Sequence, residues 1–282
     1  MQLSADAGII KALAIDLDGT VLGPGGVLSG RTINVVNKCM QRGLRIIIST
    51  GRSIEGAEPY RASLGVSGPA IYCNGAVVAD MPKGIILNSL LMDKKAADFC
   101  VDLSRETGIY CQIYFLGNDA PARMSLIAEK DSEGREIYHK QTGLLAEIMD
   151  LKEALQLCKK DGCVKTMFIA DPALLAEIRP KLEEGLGKSV YMTHTQWNYL
   201  ELMNANVSKG KGLQFTMDRL SLRKEEVIAF GDDENDAPMS DAAGLFIAPS
   251  NAKEKVKEKA GLVIGSNTED GVAVFLEEFF KL

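Results

Sequence analysis

Three short apolar runs in this chain stop abruptly at polar, glycine-bearing loops. Residues 13–20 read LAIDLDGT, 44–52 read LRIIISTGR and 227–239 read VIAFGDDENDAPM. Apolar runs of this length without polar alternation suit strands buried on both faces, as in a parallel sheet flanked by helices. The first such strand is expected over 11–18, followed by a Gly/Pro-rich loop over 19–28. Ser29 is placed to cap a helix over 30–42, with Ile33, Val36 and Met40 on one face and Gly43 as its stop. A helix over about 53–64 and a short strand over 70–75 come next. Strand alternating with helix predicts an α/β fold with a doubly wound parallel sheet and right-handed crossovers.

Between about 84 and 203 the texture changes. Apolar alternation marks strands over 109–115, 124–128, 164–169 and 190–193, and helical patterns lie over 93–107, 144–160 and 172–184. That predicts an inserted α+β unit with a one-sided antiparallel sheet. From 204 the first rhythm resumes: a helix over 208–219, the strand 227–230, a helix near 235–243, strands over 245–248 and 262–265, and a closing helix over 269–281. The expected division is a core of 1–83 and 204–282 interrupted by 84–203, with Pro82–Gly84 and Met203–Asn206 as hinge-like connections.

Composition narrows the function. The chain has 282 residues, 46% of them hydrophobic, and a net charge of −6, with a pI of about 5.2. Nucleic acid and anionic membranes need a basic face, so neither is expected as the main partner. No basic segment followed by an apolar stretch opens the chain, and no run of about 18 apolar residues occurs in it, so a cytoplasmic protein is expected. The six cysteines form no CxxC and read as reduced core residues. Two histidines make a His-rich zinc site improbable, so a metal here would be a hard cation bound by oxygen.

Four groups of residues carry chemistry. Asp16 and Asp18 sit two apart at a strand end, hence on one face, where their mutual repulsion benefits no purely structural role. They suit a cation between them, or a nucleophile beside a proton donor. Thr50, between a buried strand and a helix, offers a hydroxyl next to backbone N–H groups, which makes an anion site. Lys209 opens a helix against the preference of the macrodipole, which suggests an anion nearby, whereas Lys211 reads as a surface charge. Asp232, Asp233, Glu234, Asn235 and Asp236 crowd one turn without the spacing of an EF-hand, and their oxygens point to Mg²⁺. All four groups follow strands of one sheet, so they can meet in one crevice at its carboxyl edge.

With these residues in view, the chain resembles the haloacid dehalogenase superfamily, and within it the Cof-type, class IIB sugar-phosphatase-like branch. DLDGT at 16–20, STGR at 49–52, SKG at 208–210 and GDDENDAPM at 231–239 match its four motifs in order and spacing, and NGA at 74–76 matches a segment that faces the active site there. Asp233, where many relatives have Asn, and the glycines at 23–26 depart from the pattern. The resemblance implies a Rossmann-like core with a C2B-type cap and a phosphoric monoester hydrolase acting on a small phosphorylated metabolite. It implies Asp16 as nucleophile and Asp18 as acid and base. Thr50, Gly51 and Lys209 would bind phosphate, and Asn74 and Gly75 would meet substrate. Asp16, Asp18 and Asp232 would hold Mg²⁺, with Asn235 and Asp236 outside them. Arg123, Lys165, His194 and Trp197 are the candidates for substrate contact within the cap. A monomer or homodimer is expected. Two rivals stand beside this reading: a phosphosugar mutase, which would return the phosphoryl group to sugar, and a response-regulator-like phosphoacceptor module, which Asp18 and the long insertion argue against.

Overall fold

The computed structural model describes residues 7–117 and 122–282; the first six residues of the expected core lie outside them. Its centre is a five-stranded parallel sheet in the order Leu262–Ile264, Leu245–Pro249, Val227–Phe230, Ala12–Ile15, Arg45–Ile48. Chain order reverses across Ala12–Ile15, which has Arg45–Ile48 on one side and Val227–Phe230 on the other. That reversal is the topological switch point at which such sheets bind ligands. Ile15 pairs with Ile48 and with Phe230, so the loops after all three strands leave the sheet at one level. The first strand ends at Ile15, earlier than expected, although Asp16 N still donates to Phe230 O at 3.1 Å.

Local sequence accounts for the helices. Ser29 accepts from Thr32 N at 3.0 Å and starts Gly30–Gln41; Ser53 accepts from Gly56 N and starts Ile54–Leu64. The helix expected near 235–243 shortens to the single turn Met239–Ala242.

The strand expected over 70–75 is observed as Gly68–Tyr72. It touches the parallel sheet through one bridge, Ser49 to Ile71, and otherwise pairs antiparallel with Val77–Met81, which pairs in turn with Ile85–Ser89. Cys73, Asn74 and Gly75 all have positive φ (47°, 58° and 100°), and this tight turn folds the chain back where a crossover was expected. The change of texture at 83–84 therefore falls inside a hairpin.

The inserted sheet runs Glu147–Ile148, Met124–Ala128, Tyr110–Leu116, Lys165–Ile169, Tyr199–Asn204, Val190–Gln196. It is antiparallel except where Glu147–Ile148 joins Met124–Ala128. The elements differ from those expected here. Tyr199–Asn204 is a strand, so the boundary at 203–204 cuts an element. Glu133–Thr142 is a helix of polar composition, closed by Gly143 in the left-handed conformation. The helix expected over 144–160 is only Leu151–Leu157, capped by Asp150. The sheet is also not one-sided, since every residue of Tyr110–Leu116 is buried. Cys111, Ile113, Phe115, Phe168, Leu200 and Leu202 pack outward with the helices Lys94–Thr107 and Pro172–Leu186. Tyr110, Tyr114, Met167, Ile169, Tyr199 and Met203 face inward and join the cluster that includes Ile15, Ile48 and Phe230. Direct contacts tie the two units: Glu55 accepts from Met124 N at 2.6 Å, and Cys73 Sγ meets Met124 Sδ at 3.8 Å.

Candidate active site

At the carboxyl edge of the parallel sheet, the loop after Ile15 brings Asp16 against Lys209, at the start of the helix Lys209–Leu220. Lys209 Nζ lies 2.6 Å from Asp16 Oδ1 and 2.5 Å from Asp236 Oδ1. All three side chains are buried. The lysine that opposes its helix dipole thus has two carboxylates as the reason. Burial alone would lower its ammonium, but Asp16 and Asp236 outweigh that and hold it above its ordinary value.

The second oxygen of Asp236 accepts from the backbone N–H groups of Asp232 and Asp233, each at 3.0 Å. Thr20 Oγ1 donates to Asp232 Oδ1 at 2.8 Å and lies 3.2 Å from Asp16 Oδ2, so one hydroxyl ties the first and fourth motifs. Gly19 is required between them: with φ +77°, its place leaves a Cβ only 2.2 Å from Asp232 Oδ2. Burial and then Asp236 push the Asp16 carboxyl well up, against the opposing pull of Lys209. Burial and then Asp236 push Asp232 up to about 7. One ammonium does not balance three crowded carboxylates.

Asp16, Asp232 and Asp236 each offer an oxygen within 4.8 Å of the others. Oxygen donors and excess negative charge fit a hard divalent cation. Asp236, however, already gives one oxygen to Lys209 and the other to two amides. That holds the loop and the lysine, and Asp16 is likewise engaged, by Lys209 at one oxygen and by Thr20 at the other.

Asp18 is exposed beyond the strand end and is gripped by Arg52 through two bonds of 2.7 Å, Nε to Oδ2 and Nη2 to Oδ1. Arg52 lies 4.8 Å over the Tyr60 ring. Thr50 is buried, and its Oγ1 accepts from Arg52 N at 3.1 Å.

These groups line one cavity of about 590 Å³, which takes in Asp16, Asp18, Gly51, Lys209, Asp232, Asn235 and Asp236 from the expected set. Thr50, Asn74 and Gly75 stand behind its wall. Asn74 Oδ1 accepts from Asn235 Nδ2 at 2.8 Å, and Gly75 is pressed on the Ser208 carbonyl, where a Cβ would come within 2.3 Å. They shape the wall more than they face a ligand. The roof comes from the insertion: Tyr138, Gln141, Lys165, Met167, Tyr199 and Glu201 among others. Of the cap candidates, only Lys165 is there. Arg123, His194 and Trp197 are exposed and do not line the cavity, Trp197 being 65% exposed. Sequence reading passed over Thr20, inside a motif it had singled out, and Glu201, whose signal was alternation in the unrecognised strand Tyr199–Asn204.

Residues 13–276 match the model of the haloacid dehalogenase-like hydrolases. The chain belongs to that family. It is an enzyme of the phosphatase class. It is 28% identical over 282 residues to the pyridoxal phosphate phosphatase YbhA of Escherichia coli, covering 94% of this chain and 97% of that one. A haloacid dehalogenase-like hydrolase from Bacteroides thetaiotaomicron superposes with a TM-score of 0.86 at 22% identity, over 96% of this chain and 100% of that one. A HAD subclass IIB sugar phosphatase does so at 0.78 and 19%, over 96% and 100%. At these identities the two structures speak to the fold. Among the described residues, no helix is long and apolar enough to cross a membrane.

Proposed function

We propose that this chain is a Mg²⁺-dependent phosphatase that hydrolyses small phosphate monoesters, sugar phosphates or related metabolites, through an aspartyl-phosphate. The observation that carries the reading is the placement of Asp16 on Lys209 and Asp236 at the level edge of the sheet, with Asp18 lining the same cavity. Uncatalysed phosphate monoester hydrolysis is among the slowest reactions known, and enzymes accelerate such reactions by up to about 10²¹, so several groups must share the work.

In the first step an Asp16 oxygen attacks phosphorus. The bond from phosphorus to the leaving oxygen breaks, and Asp18 gives that oxygen its proton. In the second, Asp18 takes a proton from water as the water oxygen attacks phosphorus. The bond to Asp16 breaks, inorganic phosphate leaves, and the Asp16 carboxylate returns. Arg52 holds both oxygens of the ionised Asp18, so carrying that proton requires one of the two bonds to open. Lys209 and the Gly51 N–H neutralise charge on the phosphoryl oxygens. Asp16 and Asp232 would hold the divalent cation, with the Asp18 carbonyl completing the site and Asn235 and Asp236 behind it. When bound, the cation shields the attacking carboxylate from the anionic phosphate. The insertion, about 90–204 once the hairpin and the last strand are assigned to their sheets, acts as a cap that excludes water and contacts the leaving group.

Phosphate release from a panel of monoesters tests this. Activity should vanish in excess EDTA and return with Mg²⁺, while circular dichroism shows the fold intact. Full activity in EDTA would overturn the proposal.

A further inference from the structure

The roof of the cavity holds a second buried ion pair that the chemistry above does not use. Lys165 and Glu201 stand on neighbouring central strands of the cap sheet, and Met167 pairs with Glu201, which places the lysine diagonally across the same inward face. Lys165 Nζ lies 2.9 Å from Glu201 Oε1, and their side chains are 3% and 2% exposed. Thr195 Oγ1 donates to the same Glu201 oxygen at 2.9 Å. The other carboxylate oxygen, Oε2, is buried with no partner. Lys165 reaches the Gly51 carbonyl only at 3.4 Å and lies 4.8 Å over the Tyr114 ring.

A purely structural role fits this poorly. Burying two charges is costly, and apolar residues of the same size often serve a fold as well or better. Buried carboxylates also normally find partners for both oxygens. Here one oxygen lacks a partner and the ammonium retains donor capacity, and both residues line the cavity that holds Asp16. Around them the phenols are committed to protein partners, Tyr114 to Tyr138 and Tyr199 to Gln141. The rings therefore offer flat apolar walls, and the pair is left as a donor and acceptor set side by side.

We propose that Lys165 and Glu201 read a hydroxyl on the leaving group, so that the preferred monoester carries an uncharged polyol, and a substrate with a second anionic group is disfavoured. The hydroxyl donates to Glu201 Oε2 and accepts from Lys165. A second phosphate or carboxylate gains little, because Glu201 already neutralises the lysine and the acids across the cavity repel it. The assignment rests on the phosphatase reading above and specifies its leaving group.

The test compares the Mg²⁺-loaded full chain with its Glu201→Gln and Lys165→Met/Glu201→Met variants on a hexose monophosphate, a hexose bisphosphate and p-nitrophenyl phosphate. In Glu201→Gln the kcat/KM ratio of hexose monophosphate to p-nitrophenyl phosphate should fall about 10- to 100-fold, the range expected when a charged hydrogen-bond partner for a substrate hydroxyl is lost. The ratio of bisphosphate to monophosphate should rise about tenfold, since an uncompensated lysine now faces the second anion. A structural pair would lower all three substrates together, and that result overturns the proposal. The double variant keeps size and removes both charges, so it remains informative where Glu201→Gln folds poorly. It should lose the hydroxyl preference, and retention of that preference is equally fatal. Wild-type enzyme active on p-nitrophenyl phosphate but indifferent to hydroxyls overturns this inference alone. Wild-type enzyme inert on every monoester overturns the phosphatase reading with it.

Discussion

The floor of the cavity is made from strand ends, and its roof from strand middles. On the floor, Asp16, Thr20, Asp232 and Asp236 lie on loops just past a level sheet edge, held by backbone amides, one hydroxyl and one lysine. On the roof, Lys165, Met167, Tyr199 and Glu201 project from the inner face of an antiparallel sheet. The floor carries more acid than it can neutralise, which suits a cation and a transferring phosphoryl group. The roof balances one lysine against one glutamate. Chemistry demands fixed charge at one point, whereas selection of a leaving group demands an adjustable surface, and strand ends and sheet faces supply these separately.

The sharpest test of the division is at the floor. Asp16→Asn should cut turnover by about 10⁵–10⁶, comparable to losing the nucleophile in other covalent enzymes, and no phosphoenzyme should be trapped in single-turnover quenches. Asp18→Asn should cost about 10²–10⁴, with a smaller loss in the first step for aryl phosphates, whose leaving groups need less protonation. If Asp18→Asn behaved alike on alkyl and aryl esters, its proton role would be wrong. Stability compares the two walls directly. Lys209→Met strands two buried carboxylates and should destabilise the metal-free protein by about 3–5 kcal/mol. Lys165→Met strands one and should cost less, as read by urea midpoints; the reverse ranking would break the comparison.

The smallest effect lies at the opposite end of the sheet, where the electrostatics are favourable. Arg223, through its side chain and its backbone N–H, and Lys11 hold Glu226 down to about 2, from an ordinary 4.5. A depressed carboxyl contributes stability that is present above 4.5 and is lost as pH falls toward 2. Glu226→Gln should flatten the pH dependence of the urea midpoint in that window. An unchanged acid limb would place the sensitivity elsewhere.

The two walls also differ in how legible they were. Strand-end residues are contiguous in sequence, so Asp16 with Asp18 and Asp232–Asp236 could be read as clusters and assigned to one edge, with Lys209 at the start of a helix beside them. The parallel strands were plain for the same reason, since burial on both faces leaves unbroken apolar runs. Roof residues are spaced two apart on strands joined by long connections, and no local window holds them together. Tyr199–Asn204 escaped notice because its inward side carries Tyr199 and Glu201, which look like solvent-facing positions until a second unit covers them. Gly68–Tyr72 was given the wrong neighbours because its direction depends on a three-residue turn with positive φ; Asn74-Gly75 is itself a hairpin signal that was not used, whereas Cys73 gives no sign of its positive φ. Arg52 was visible, but its grip on Asp18 joins loops that only the fold brings together.

The register that sets Ile15 level with Ile48 and Phe230 also has a mechanical side. Amides in the middle of a parallel ladder exchange with solvent only when a large part of the domain opens. Mutual repulsion among the acids therefore pushes on the stiffest segment of the molecule, which does not yield. A softer scaffold would let the carboxylates drift apart and would have to reassemble them at every turnover. Here the strain is held in place, and a cation arriving at this edge would meet carboxylates that do not have to move.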